Sequence, residues 1–169
     1  MPAPADLTAL CLVEHPHLVA LLGLLTGDRA EAEDLAQEVL IRLCRDWEKV
    51  SRYDKPGAWV QRVAVNLARS AHRRHRRELR ALSRLAVATS TSVEPDSIKS
   101  DDAVRAALQR LPFSLRAVIV LRFLDDLSVA QTATVLRIPQ GTVKTRTRKA
   151  LDQLRGDEAI GMKEAVHVD

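Results

Sequence analysis

The segment GTVKTRTRKALDQL, Gly141 to Leu154, admits two incompatible backbones, and the choice between them constrains the rest of the chain. Lys144, Arg146 and Arg148 alternate with the β-branched Val143, Thr145 and Thr147, the period-2 pattern of a strand with one cationic face. Carried along the whole segment, that pattern fails at Ala150 and Leu151, where two neighbouring apolar residues fall on opposite faces. A helix opened by Pro139 instead gathers Val143, Thr147, Ala150 and Leu154 at i, i+4, i+7 and i+11 into one inward stripe. Lys144, Thr145, Arg148 and Lys149 then form the opposite face. The segment is therefore expected to be a helix with one apolar and one cationic side.

Its upstream neighbours give that helix a context. Ser128 can cap a short helix, VAQTATVL, that stops at Arg137, so the order is helix, tight turn, helix. Gly141, followed by Thr142, would let the backbone approach a phosphate closely, and the positive end of the helix dipole adds to the attraction. These are the requirements of a recognition helix in a DNA major groove. Before it, Val104, Ala107, Leu108 and Leu111 recur at helical spacing after the capping pair Asp101 and Asp102, Pro112 ends that turn, and FSLRAVIVLRFL continues as a second apolar helix.

Hydrophobic residues make up 46% of the 169 and aromatics only 3%, so cores must be built from Leu, Val and Ala, which suits helix-on-helix packing. The Ser/Thr-rich stretch ATSTSVEPDSIKS, Ala88 to Ser100, lacks apolar periodicity and is expected to be a flexible linker. The fold class expected is all-α: two small helical domains joined by that linker, the C-terminal one a helix-turn-helix domain. Charge is concentrated, with six basic residues against one acidic in 66–80 and again in 137–155, the footprint of a polyanionic partner. Cys11 and Cys44 stand in apolar surroundings without metal-ligand spacing and are expected to be small buried hydrophobes, with no disulfide and no metal. The run LVALLGLLTG, Leu18 to Gly27, lacks a cationic leader and a cleavage site, is too short to span a bilayer, and points to a cytoplasmic protein without membrane insertion.

Two further helices carry surface chemistry. In AEDLAQEVLIRL, Ala32, Leu35, Ala36, Val39 and Leu43 make an inward stripe, leaving Glu31, Asp34 and Glu38 outward at i, i+3 and i+7, with Leu40 and Cys44 one turn apart just off the stripe. In WVQRVAVNLARSAHRRHRR, Arg62, Asn66, Arg69 and Arg73 share one side and can track a phosphate backbone while Asn66 reaches a base. Tyr53, in the polar loop RYDKPG, is placed to stack on an unpaired base, whereas Trp59 is expected in the core and His72 and His75 are assigned no chemistry. No set of residues suggests catalysis; only one acidic helix is present, whereas a helical metal-dependent hydrolase needs two that face each other.

The stretch LPFSLRAVIVLRFLDDLSVAQTATVLRIPQGTVKTRTRKALDQL resembles the C-terminal promoter-reading domain of bacterial sigma factors, and AEDLAQEVLIRL with KPGAWVQRVAVNLARSAHRRHRR resembles their polymerase-gripping domain. Having only these two domains, the chain is similar to the extracytoplasmic-function (ECF) group over residues 7–155. The resemblance implies region 2 at 5–80, a linker at 81–100, region 4 at 101–155 and an acidic tail at 156–169. It implies that Asp34, Gln37, Glu38, Leu40 and Cys44 dock on a coiled coil of the polymerase β′ subunit, with the β flap as a second contact. It places Tyr53, Arg62, Asn66, Arg69 and Arg73 at the minus-10 element, and Gly141, Thr142, Lys144, Thr145, Arg148 and Lys149 at the minus-35 element. Core polymerase, promoter DNA and an anti-sigma factor are the partners implied, with no cofactor, and the free protein is expected to be monomeric. Arg137 stands where the family turn usually has glycine, and Gln131 and Thr132 replace the usual Glu and Ile. The competing interpretation is an autonomous helix-turn-helix regulator that binds an operator as a dimer.

Overall fold

Gly27 and Asp28 reverse the chain between two helices of 22 residues each, α1 (Ala5–Thr26) and α2 (Arg29–Val50). Gly27 has φ 82, a conformation that side chains disfavour, and its N–H donates to Gly23 O at 2.9 Å. Asp28 caps α2 by accepting from Glu31 N at 2.8 Å. The structure is a computed structural model and describes residues 5–85 and 100–156. By length and composition alone α1 could cross a membrane, since the apolar run of Leu18 to Gly27 is only the end of a longer helix. Its Leu18, Leu21, Leu22 and Leu25 instead fill the centre of the first domain with no exposure at all. Against them pack Ala32, Ala36, Val39 and Leu43 of α2, the stripe expected, with Leu35 half-buried at its edge.

Helix α3 (Pro56–Leu85) closes the three-helix first domain. Val60, Ala64, Val65, Ala68 and Ala71 are buried, Trp59 packs against the core as expected, and beyond Ala71 the helix continues as an exposed cationic rod. Its last turns lie in the segment assigned to the linker. The rest of that segment, residues 86–99, and the acidic tail beyond Gly156 lie outside the described residues.

The second domain comprises α4 (Ser100–Arg110), α5 (Phe113–Phe123), α6 (Val129–Leu136) and α7 (Gln140–Gly156). Asp101 and Asp102 fall inside the first turn of α4 rather than capping it, and Val104 is largely exposed, because α4 buries only the narrow face of Ala107, Leu108 and Leu111. Helix α5 is the centre of this domain, with a continuous buried run from Leu115 to Leu121. Ser128 caps α6 in a reciprocal box: Gln131 N donates to Ser128 Oγ at 3.2 Å and Ser128 N to Gln131 Oε1 at 2.8 Å, so the unusual glutamine serves the capping role of a glutamate. Thr132 is fully buried with no partner for its hydroxyl among the described residues, a site where an apolar residue would cost less.

Helix α7 settles the opening ambiguity: Val143, Ala150 and Leu154 are buried as the helical period requires, joined by Leu151, while Thr147 is half-buried and returns its hydroxyl proton to Val143 O at 2.9 Å. Between α6 and α7, Arg137 has φ 53 and ψ 50, the left-handed conformation that the missing glycine implied. Arg137→Gly is therefore expected to stabilise the second domain by about 1 kcal/mol, relieving a strained backbone at slight entropic cost. Thermal unfolding checks this; a lower melting temperature would contradict it.

The two domains are packed against each other. At the end of α1, whose last carbonyls have no partner in their own helix, Leu24 O accepts from Gln109 Nε2 at 2.9 Å and Leu25 O accepts from the buried Arg116 guanidinium. Arg116 also donates to Gln109 O at 3.0 Å and Leu111 O at 3.1 Å, and to the Gln109 side chain. Burial lowers its pKa to about 10, which still leaves it charged at neutral pH.

Candidate polymerase and promoter interfaces

Helix α2 turns outward a face that is acidic with an apolar centre. Asp34, Gln37 and Cys44 are exposed; Glu38 is half-buried and accepts from Arg42 Nε at 2.7 Å, while Glu31 meets Arg74 of α3 at 3.5 Å. Leu40 lies just off the stripe, where its spacing put it. It leans on the core from the flank of the stripe, and the apolar residue lying among Asp34, Gln37 and Glu38 is Ile41, 61% exposed. The cause is angular: at about 100° per residue, Leu40 stands roughly 70° from the stripe centre and Ile41 almost directly opposite it. An isoleucine diametrically opposed to the stripe was the available signal.

The cysteines also differ from the buried hydrophobes expected. Cys44 is exposed and Cys11 half-buried, because both lie on the flank of the α1–α2 hairpin. Burial, and then the neighbouring Cys44 side chain, push the Cys11 thiol up.

Helix α3 presents Arg62, Asn66, Arg69 and Arg73 along one side, as their spacing required, but in unequal settings. Asn66 and Arg73 are exposed, whereas Arg62 and Arg69 are half-buried beneath the second domain. Arg62 donates to Thr134 O of α6 at 3.1 Å, and its Nε is buried without a partner among the described residues. Burial lowers the Arg69 pKa, and the charges of Arg73 and of Arg146 on α7 lower it further. Arg62, Arg69, Arg137 and Arg146 thus line one interdomain groove with no carboxylate among the described residues of its walls. His72, given no role on sequence grounds, stacks on Phe113 with ring centroids 5.3 Å apart. Tyr53 sits by a separate surface depression of mixed charge, in which Arg45 is paired with Asp46 and Arg52 with Glu48, beside Lys49.

On α7, Lys144, Thr145, Arg148 and Lys149 are exposed on one face. Gly141 has nothing within 4 Å of where a side chain would begin, so its space is open to an approaching backbone, and Thr142 is half-buried beside it. Thr145 spends its hydroxyl proton on Gly141 O at 2.9 Å and keeps its oxygen lone pair and methyl group outward. Arg146 stands at the edge of this face: it lines a depression with Gly141, Thr142, Thr145 and Lys149 and also the groove beside Arg69 of α3.

A site that sequence periodicity did not reveal joins the domains on their other side. Asp125, in the turn between α5 and α6, has a fully buried carboxylate held by His17 Nε2 of α1 at 2.8 Å and Gln61 Nε2 of α3 at 2.9 Å. Burial raises the Asp125 pKa, with His17 and Gln61 opposing; burial likewise raises that of neighbouring Glu14.

Comparison with known proteins places this geometry. Residues 12–78 match the Sigma-70 region 2 family and residues 107–156 the Sigma-70, region 4 family. The chain is 30% identical over 142 residues to the ECF RNA polymerase sigma factor SigW of Bacillus subtilis, covering 76% of each chain. It is 36% identical over 141 residues to the ECF RNA polymerase sigma factor SigL of Mycobacterium tuberculosis, covering 78% of this chain and 76% of that one. Its fold is similar to that of the sigma factor RpoE from Bartonella quintana, solved in complex with the anti-sigma factor NepR (TM-score 0.75, 23% identity, 90% of this chain and 96% of that one). It is also similar to CnrH, solved with the cytosolic domain of CnrY (TM-score 0.63, 20% identity, 89% of this chain and 85% of that one). Sigma factors are DNA-binding regulators rather than enzymes, and this chain, with region 2 and region 4 in order on an all-α fold, belongs to the ECF group of the sigma-70 family and acts as a sigma factor in transcription initiation.

Proposed function

We propose that three faces, on α2, α3 and α7, divide the work of initiation. The α2 face of Asp34, Gln37, Glu38 and Cys44, centred on Ile41 and flanked by Leu40, docks on core RNA polymerase at a basic, coiled-coil surface of the β′ subunit. The α3 face of Arg62, Asn66, Arg69 and Arg73, with Tyr53 from the loop before α3, receives the minus-10 element, the arginines on phosphates and Tyr53 and Asn66 on bases. The α7 face enters the major groove at the minus-35 element, with Gly141 and Thr142 against the phosphate, Thr145 toward base edges, and Lys144, Arg148 and Lys149 along the backbone, while the second domain as a whole leans on the β flap. The observation that carries this reading is the segregation of charge: one acidic face with an apolar centre on α2, and cationic faces on α3 and α7. A DNA-binding regulator working alone has no use for the first.

The work is done at chromosomal DNA, in the cytoplasm, by a protein that is a monomer until it joins polymerase. An anti-sigma factor of the kind bound to RpoE would act here by covering one of the three faces. Footprinting of holoenzyme reconstituted from core polymerase and this chain, on a genomic promoter library, tests the division of labour. Protection of two elements near minus-10 and minus-35 is the result expected; a single protected block bound equally well without core polymerase would contradict it.

A further inference from the structure

Two thiols meet near the open end of the α1–α2 hairpin. Gly23 and Ala32 set the pairing of these helices: a Cβ added at Gly23 would lie 3.9 Å from that of Ala32, and the two residues stand equally far in sequence from the Gly27–Asp28 turn. Cys11 and Cys44 are likewise equidistant from that turn, about three turns of helix further out. Their side chains lie within hydrogen-bonding reach of each other, and both are free thiols.

The two settings differ. Cys11 belongs to the inward row of α1, with Leu7, Glu14 and Leu18 at i−4, i+3 and i+7, and packs half-buried against the core. Cys44 is exposed and continues an outward row of α2, in which Gln37, Ile41 and Cys44 stand at i, i+4 and i+7. The pair therefore runs from the core of the first domain to the face assigned to polymerase. An oxidant arriving from solvent meets Cys44 first. Cys11 is sheltered, and burial together with the Cys44 side chain pushes its thiol up, so it keeps its proton at neutral pH.

Packing alone does not account for a cysteine at the second position. A buried cysteine serves as a small hydrophobe, whereas Cys44 offers its sulfur to solvent on a surface that has a partner to meet. A mixed disulfide there would set a bulky polar group one turn from Ile41, the apolar centre of the face. A second thiol within reach can remove it.

We infer that Cys11 and Cys44 form a dithiol–disulfide site in which Cys44 takes the oxidant and Cys11 resolves the adduct, clearing the docking face of α2. The oxidant is a low-molecular-weight disulfide. The Cys44 thiolate attacks one of its sulfurs, an S–S bond joins Cys44 to half of the reagent, and the other half leaves as a thiolate that takes up the proton Cys44 lost. Cys11 then gives up its proton and attacks Cys44 Sγ; the mixed disulfide breaks, and the second half leaves as a thiol. Two protein thiols are thereby oxidised to one disulfide, and one small disulfide is reduced to two small thiols. The new bond draws Cys44 Sγ toward α1 and leaves nothing attached beside Ile41. Excess small thiol reverses it. The effect on docking rests on the assignment of α2 to polymerase; the reaction of the thiol pair does not.

The full-length chain and its Cys11→Ser and Cys44→Ser variants are incubated with oxidised glutathione, then followed by intact-mass spectrometry and by pull-down with core polymerase. The wild type should lose two hydrogens and retain no glutathione, and its melting temperature should rise by several degrees, because the bond closes a loop containing most of α1 and α2. Cys11→Ser should keep one glutathione on Cys44 and bind polymerase at least about tenfold more weakly, while the oxidised wild type binds as the reduced one does. Cys44→Ser should react several-fold more slowly than Cys11→Ser; equal rates would overturn the order of attack. Stable glutathione on both cysteines of the wild type, or disulfides only between chains, would overturn the thiol pair. Docking lost when the internal disulfide forms, or kept with the adduct in place, would overturn the clearing role. Ile41→Asp in the reduced chain separates the premises. If Ile41→Asp abolishes docking and the adduct does not, α2 stands and the clearing role fails. If neither affects docking while the internal disulfide forms, the thiol pair stands and the assignment of α2 fails.

Discussion

The double variant Asp34→Lys, Glu38→Lys is expected to fold normally and to initiate no transcript. Both residues point away from the stripe of Ala32, Ala36, Val39 and Leu43 that holds α2 in the core, so reversal leaves the packing untouched. The local cost is small: Glu38 loses its contact with Arg42, an i,i+4 pair on a partly exposed surface that contributes about 0.3–0.5 kcal/mol. At an interface the same charges count for far more, because truncating or reversing a charged group that becomes buried against its partner costs about 2–5 kcal/mol, roughly 30- to 5,000-fold in affinity. Polymerase pull-down and run-off transcription read the loss. Normal transcription by the folded variant would remove polymerase docking from α2.

On α7 the expected effect is a change of preference rather than a loss. Thr145 is exposed on the outward face, with its methyl group and one lone pair free, because its proton is returned to Gly141 O. A side chain that meets a base edge this way discriminates by apolar contact with the thymine methyl group or by accepting a hydrogen bond. Thr145→Val keeps the shape and methyl contact and removes the lone pair, so the ranking of minus-35 sequences should shift. Lys149→Ala instead removes one phosphate contact: affinity should fall by a similar factor for every sequence, and the slope of log K against log salt should decrease by about one. If both variants weaken all sequences alike, Thr145 does not read a base.

The parts of this molecule legible in its sequence are those that repeat. The α2 stripe, the inward face of α7, the cap at Ser128 and the strained turn at Arg137 each follow from spacing or from a residue standing where another belongs, and each is found as expected. Leu40 stands off the stripe as expected, at the border of its helical face, and the residue passed over is Ile41 on the outward side. Val104 failed differently: its spacing is correct, but α4 is covered on one narrow side. Cys11 and Cys44 failed because apolar neighbours in sequence are not neighbours in space at the flank of a hairpin.

The union of the two domains left no periodic trace. His17, Gln61, Asp125, Gln109 and Arg116 are single polar residues whose partners lie far along the chain, and each alone reads as ordinary surface. Arg116 carried a weak clue, a cation inside an otherwise apolar helix, which requires acceptors from elsewhere. The groove arginines mislead in the other direction. Arg62 and Arg69 have the right spacing to follow a phosphate backbone, yet they lie half-covered in the free chain.

The central claim is that this chain finds promoters only as part of polymerase, and the most direct measurement adds the purified protein to sigma-free core polymerase on DNA carrying genomic promoters. Specific transcripts should appear only when both are present, while the chain alone, a monomer by size-exclusion chromatography, should bind the same DNA weakly and with little preference. Tight, sequence-specific binding by a dimer of the chain alone, with no transcripts when polymerase is added, would contradict the account.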